Sequence, residues 1–504
     1  MKPLNWLIAL ALGLAGLCRG VPPAHAAEKT PPRPNILLVL SDDHSCPHVG
    51  CYGNPDIKTP NLDRFASQGI RFDRAYVACP QCVPSRAAIM TGRSPVRIAM
   101  TRFSAPLPMD VVTYPELLRK EGYYTGVAGR TFHLDGAANS AVSRAVFEKY
   151  GLQTFARRLD YVKQAGARPQ MLAQLREFLD EVPKGKPFFL QLCFSDPHRP
   201  LDRNAIAEPH DPAKLKLPAH YPDTPAVRED FARYYDEIAR FDGDFGTVLA
   251  ELDKRGLAES TLVAMMGDNG ASQLRGKGTL YEFGIHVPLL LRWPGVAKAG
   301  SNTSELISAE DLAPTFLEAA HAAAPKEMTG HSFCNLLRGE PFEGRKYVFA
   351  ERGAHGNGLP NNSAAFDLGR CVVTKRYKFI YNALWQIPYT PVDFAGDAFW
   401  KELQQMNAEG KLAPELSRVY FSTTRPMFEL FDLENDPREF NNLAGKSEAA
   451  EIERELKGAL QEWMILERDY LPLPIPGDVG AKKAALKKAG AAGAKKAKKA
   501  GKRG

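Results

Sequence analysis

The chain predicts an α/β fold: a large, mostly parallel sheet sandwiched by helices, followed by a smaller α+β subdomain. Three observations carry this. Continuous apolar runs, rather than alternating ones, recur from about residue 33 to 337. Helical patterns lie between them. Three of the runs end in polar clusters. A strand buried on both faces reads as an unbroken apolar run, and βα alternation builds a parallel sheet covered by helices.

The first run is Asn35-Ile36-Leu37-Leu38-Val39-Leu40, ending in Ser41-Asp42-Asp43. Residues 187–194 form the second, ending in Ser195-Asp196-Pro197-His198. Residues 261–266 form the third, ending in Gly267-Asp268-Asn269-Gly270, and 287–293 are a fourth candidate. Thr59-Pro60 opens a helix with a cap residue and then proline at the first position. Residues 117–121, 171–181, 230–255 and 309–322 also read as helical. After about residue 340 the character changes. Residues 370–382 and 427–432 look like antiparallel strands, and 448–471 like an amphipathic helix. The aromatic, proline-rich stretch 384–400 reads as an irregular insertion. The expected division is an α/β domain over 33–340 and a C-terminal subdomain over 341–472.

The 504 residues suffice for this, and 44% hydrophobic with 24% charged content suits a globular chain rather than a disordered one. Residues 1–26 carry Lys2, an apolar stretch too short for a membrane span of about 20 residues, and a small-residue site at Ala24-His25-Ala26. This is a secretory signal pattern, so the expected location is secreted or periplasmic. Residues 481–504 hold ten positive charges and no negative ones, so the overall +7 misleads and the body between the termini is at −5. The tail suits an acidic polymer or acts as a disordered, solubilising segment. Nothing in it is specific for nucleic acid. Eight cysteines in this length do not make a dense disulfide framework.

Asp42, Asp43, Asp268 and Asn269 offer oxygen atoms at the ends of separate strands. Ligands of open α/β sheets sit beyond such ends. An all-oxygen set suits a hard cation, Ca²⁺ or Mg²⁺. Cys82 precedes a helix start read at Ser85, beside the positive helix end where anions bind. By position alone a lone cysteine is usually a buried, inert one.

The segment Cys82-Val83-Pro84-Ser85-Arg86, followed by Thr91-Gly92-Arg93, resembles the signature of type I (formylglycine-dependent) sulfatases of the alkaline phosphatase superfamily. Further blocks resemble the family: Pro34-Asn35-Ile36 with Asp42-Asp43, Thr59-Pro60-Asn61-Leu62-Asp63, Asp196-Pro197-His198, Asp268-Asn269-Gly270 and Gly276-Lys277-Gly278-Thr279. The likeness runs over about residues 33 to 470, with some likeness to the iduronate-2-sulfatase and heparan N-sulfatase types. It implies an alkaline-phosphatase-like fold and oxidation of Cys82 to formylglycine by a dedicated maturase such as a formylglycine-generating enzyme. It implies Ca²⁺ held by Asp42, Asp43, residue 82, Asp268 and Asn269. In such enzymes the hydrated aldehyde attacks sulfur, the alcohol leaves, and loss of a proton from the second hydroxyl expels sulfate. A serine would stall as its sulfate ester.

On this resemblance Arg86 holds the formylglycine oxygens. Arg130, Lys277 and His198 neutralise the sulfate. His198 or Lys277 protonates the leaving alcohol, and His133 is the base. Gly129-Arg130-Thr131-Phe132-His133 departs from the family's Gly-Lys-Trp-His, with Arg for Lys and one extra residue before His. Arg keeps the charge and forks to two oxygens. The expected activity is sulfuric ester hydrolysis on a sulfated carbohydrate. The same-superfamily alternative is a phosphonate or phosphate ester hydrolase. A non-catalytic binder of sulfated polysaccharide conflicts with the intact residue set. Residues 353–365, with His355, are expected at the pocket rim. Trp385, Tyr389, Phe394 and Trp400 are either sugar platforms or local core.

Overall fold

A computed structural model describes residues 32–103, 106–136, 141–164, 168–355 and 366–474. The signal pattern, the basic tail and residues 356–365 of the expected rim lie outside them. The strands are β1 (Asn35–Ser41), β2 (Ile70–Phe72), β3 (Ala75–Tyr76), β4 (Tyr124–Gly129), β5 (Tyr161–Gln164), β6 (Phe188–Cys193) and β7 (Thr261–Gly267). They continue with β8 (Leu289–Arg292), β9 (Ser301–Thr303), β10 (Ile307–Ser308), β11 (Val348–Arg352), β12 (Gly369–Val373), β13 (Tyr377–Asn382) and β14 (Phe428–Asp432).

The large sheet has the order β5-β4-β6-β1-β7-β8-β2-β9. From β5 to β7 every pair is parallel, and β8 is antiparallel to both neighbours. The unbroken apolar run of β1 has a direct cause. Ile36, Leu38 and Leu40 enter one core, while Leu37 and Val39 enter the core on the opposite face. β7 splits in the same way, with Ala264 and Met266 on one side and Val263 and Met265 on the other. Each Leu, Ile, Val or Met among them removed from water contributes about 1.5–3 kcal/mol. The expected fold class therefore stands, and the fourth apolar run is an antiparallel strand.

Strand β4 escapes a reading by apolar runs, because Gly126 and Gly129 interrupt Tyr124-Thr125-Gly126-Val127-Ala128-Gly129. The last glycine is needed. Gly129 sits at φ +97°, and a Cβ there would meet the Cys193 carbonyl oxygen at 2.1 Å. The chain turns at this point and delivers Arg130.

The helix Pro225–Lys254 starts as its sequence suggests, with Thr224 Oγ1 accepting from the Val227 N–H at 3.2 Å and Pro225 at the first position. β11 to β14 form an antiparallel sheet, on which Leu456, Leu460 and Met464 of the helix Ala450–Leu466 pack. The described residues from 33 to 474 form one compact unit. Among the described residues no helix is long and apolar enough to cross a membrane.

Candidate active site

Four adjacent parallel strands, β4, β6, β1 and β7, end at one edge. Arg130 and His133 follow β4, His198 follows β6, Asp42 and Asp43 follow β1, and Asp268 and Asn269 follow β7. The ladders run on into these residues: the Asp42 N–H donates to Asp196 O and the Asp268 N–H to Ser41 O, both at 3.0 Å. The helix Cys82–Thr91 faces this edge with Cys82 as its first residue, three earlier than the start read from sequence. All ten of its residues are buried and its first turn contains no acidic residue. Its N-terminal partial positive charge is thus unopposed within the helix.

One potential ligand atom from each of Asp42, Asp43, Cys82 and His198 lies within 4.8 Å of the others. The Cys82 thiol is 3.5 Å from Asp42 Oδ1. Asp268 Oδ1 accepts from the Asp43 N–H at 3.1 Å, and Asn269 Nδ2 donates to Asp43 Oδ1 at 2.8 Å. Asp43 is at φ +63°, an uncommon conformation for a residue with a side chain, and Tyr234 Oη pins its carbonyl at 2.8 Å.

The cations interleave with these carboxylates. Arg86 places Nε and Nη2 each 2.8 Å from Asp268 Oδ2, with Nη2 3.3 Å from Asp42 Oδ2. Arg130 Nε is 2.6 Å from Asp42 Oδ2. Lys277 Nζ is 2.8 Å from Asp43 Oδ1, and His198 Nε2 is 3.8 Å from Asp43 Oδ2. Burial opposes the charge on Asp42, yet Arg130, His198, Arg86 and Lys277 together hold its carboxyl well below the usual range. Burial pushes Asp268 up, against the pull of Arg86. Burial also works against the Lys277 ammonium, but Asp43 and Asp393 hold it charged. Burial, reinforced by the charge of Arg86, drives His133 well below its usual value, so its ring is neutral. Burial and Asp42 push the Cys82 thiol far up.

Behind the site, Asp196 accepts from Arg240 Nε and Nη2 at 2.7 and 3.0 Å, anchoring the turn that presents His198. His133 and His355 flank the Phe103 ring, with centroids 5.6 and 5.1 Å away. Asp393 is the residue sequence reasoning missed. Its Oδ2 is 2.8 Å from Lys277 Nζ and 3.9 Å from His198 Nε2, and its Oδ1 is 3.5 Å from His355 Nε2. A single Asp in an irregular stretch carries no motif that would have flagged it. The same stretch decides between the two readings of its aromatics. Phe394 and Trp400 are 0% and 5% exposed in an aromatic core, and Tyr389 packs against Trp400 and Tyr420. Phe394 and Trp400 are thus local core under the insertion, while Tyr389 is only partly buried. Trp385 is half-buried.

A family model described as Sulfatase matches residues 34–322, and one described as N-sulphoglucosamine sulphohydrolase, C-terminal, matches residues 270–398. An ulvan-active sulfatase of Formosa agariphila is 28% identical over 483 residues, covering 88% of this chain and 77% of its own. N-sulphoglucosamine sulphohydrolase of Homo sapiens is 28% identical over 504 residues, covering 92% of this chain and 93% of its own. A solved structure of a protein in complex with its substrate D-glucosamine-2-N,6-O-disulfate shares the fold, with TM-score 0.64 at 22% identity over 87% of this chain and 99% of that one. With the first model spanning more than half of the sequence, the chain belongs to the sulfatase family, enzymes that hydrolyse sulfuric esters.

Proposed function

We propose that this sulfatase removes sulfate from a sulfated carbohydrate, using residue 82 after its oxidation to formylglycine and a Ca²⁺ ion at the strand ends. The carrying observation is the meeting of Asp42 and Asp43, which follow β1, and His198, which follows β6, around Cys82 at the start of a fully buried helix. The thiol itself is a poor candidate nucleophile. Reactive cysteines have lowered pKa values, and this one is pushed up by burial and Asp42. Oxidation to an aldehyde removes that obstacle.

The residues fit a hard cation. Apart from residue 82, Asp42, Asp43, Asp268 and Asn269 supply only oxygen, and the buried Asn269 Oδ1 accepts no hydrogen bond. When bound, the ion supplies positive charge that favours ionisation of a hydroxyl on hydrated residue 82. Arg86 fixes Asp268 and Asp42, and so the ligands' spacing. Arg130, Lys277 and His198 balance charge on the sulfate oxygens. Lys277 Nζ or His198 Nε2 donates the proton to the leaving alcohol. His133, neutral at the start, accepts the proton released when sulfate is expelled. His355 sits at the substrate side, next to Asp393.

The carbohydrate class is supported by the relatives, one named for ulvan and one for N-sulphoglucosamine. We place the catalytic domain at 33–340 and the C-terminal subdomain at 341–472. The signal pattern supports export and so secretion or a periplasmic location. A maturase partner follows from the cysteine chemistry, and the tail's charge suits an acidic polymer.

Mass spectrometry of the peptide spanning Cys82 should give a form about 18 Da lighter than the cysteine form. A panel of sulfated saccharides, with matched phosphate and phosphonate esters, tests the substrate class. Faster turnover of the phosphorus esters would overturn the assignment.

A further inference from the structure

A carboxylate beside a sulfate cradle is unexpected, because it repels the anion that the cradle collects. Asp393 is such a carboxylate. It shares Lys277 with Asp43, each 2.8 Å from Nζ, but on the outer side: Asp43 is fully buried and Asp393 is 29% exposed. Its position is held firmly. Asp393 is at φ +66°. On one side of it, the Val392 carbonyl accepts from Ser272 Oγ at 3.1 Å, and on the other Phe394 is fully buried. Asp397 meets Arg199 Nη1 at 2.7 Å, and Arg199 also forks onto Asp230 at 2.7 and 2.6 Å. The residue after His198 therefore clamps the segment that carries Asp393.

We propose, resting on the carbohydrate reading above, that Asp393 is a specificity-determining residue. Its carboxylate accepts a hydrogen bond from a hydroxyl or amine on the carbon next to the sulfated one, and it disfavours a second anionic group there. The geometry supports this placement. Lys277 and His198 are the groups proposed to meet the leaving oxygen, and Asp393 touches both. Two acceptors sharing one ammonium at hydrogen-bond distance lie about 4–5 Å apart. A donor on the neighbouring carbon spans that gap. Asp393 would then exchange part of its interaction with Lys277 for a donor that arrives with the substrate, and a vicinal sulfate would find like charge instead.

The holoenzyme, with residue 82 oxidised and Ca²⁺ present, is assayed on 2-hydroxyphenyl sulfate and 3-hydroxyphenyl sulfate. Only the first places a donor beside the ester oxygen. Their intrinsic reactivity difference cancels when the ratio of kcat/KM values is compared between wild type and Asp393→Asn. That ratio should fall about tenfold in the variant, as expected when a charged acceptor is replaced by a neutral amide oxygen. Catechol disulfate should gain relative to 3-hydroxyphenyl sulfate in the same variant. An unchanged isomer ratio overturns the proposal, whatever happens to the absolute rates, because a merely structural carboxylate would slow both isomers alike. If Asp393→Asn does not fold, Asp393→Ser is read in the same way. The aryl probes require only sulfate ester hydrolysis. A failed saccharide panel therefore leaves this result standing, and an unchanged ratio leaves the carbohydrate reading standing.

Discussion

The inner face of the site and its outer rim are built differently. Asp42, Asp43, Cys82, Arg86 and Lys277 have side chains at most 1% exposed. His355, His198 and Asp393 are 15%, 20% and 29% exposed. The inner carboxylates follow strands whose registers are fixed by two cores, so their placement is set by the most tightly packed part of the molecule. The rim comes from a turn, from the chain just after β11, and from an insertion clamped by Arg199. Charge is dense on the inner face and neutralised within it, which suits chemistry common to all substrates. The rim meets solvent, and the specificity contact proposed for Asp393 lies there. Changes on the inner face, and at His198 which serves the sulfate itself, should thus cut turnover of any ester, while changes elsewhere on the rim should alter choice among esters.

The largest effect should come from Cys82→Ala. Turnover should fall by about 10⁴-fold or more, as for removal of a nucleophile, with an unchanged circular dichroism spectrum. Retained activity would break the contrast at its centre. Next is the cation. Chelation should cut activity by about 10³-fold, with recovery on adding Ca²⁺; indifference to chelator would remove the role given to Asp42, Asp43, Asp268 and Asn269. Arg130→Lys keeps the charge but loses the guanidinium that meets Asp42. A fall in kcat/KM of about 10–100-fold is expected for every substrate tested. At the rim, Asp397→Asn removes one tie on the insertion, on a side chain 38% exposed. It should change kcat/KM by about threefold and in a substrate-dependent way, with melting temperature nearly unchanged.

The smallest effect concerns stability. Glu237, under the turn that presents His198, is pushed up from 4.5 to about 8 by burial and by Asp196. The folded protein binds this proton more tightly than the unfolded chain. The group's contribution is therefore fully present below pH 4.5 and is lost as pH rises towards 8. Glu237→Gln should flatten the melting temperature between these limits. A parallel decline in variant and wild type would assign the pH dependence elsewhere.

The strands β1, β6 and β7 were legible because burial on two faces leaves apolar runs, interrupted in β6 only by Gln191. Their polar ends were legible as ligand positions because the chemistry at the carboxyl edge interrupts those runs abruptly. Strand β4 was not legible, since its glycines serve close packing against Phe178 and Cys193 rather than an apolar pattern. Arg130 and His133 were therefore found only through a motif. The aromatics at 394 and 400 were ambiguous, because a core under an insertion and a sugar platform use the same residue types.

By itself the sequence determined the sheet's central strands, the cysteine and the oxygen donors. Each depends on local order: an apolar run, a helix start, a short motif. Only the tertiary structure decided that four strand ends lie side by side, that Arg86 and Arg130 converge on Asp42, and that Asp393 lies against Lys277 from 116 positions away. Those are products of strand order and loop anchoring. Both arise from long-range packing, which no local pattern encodes.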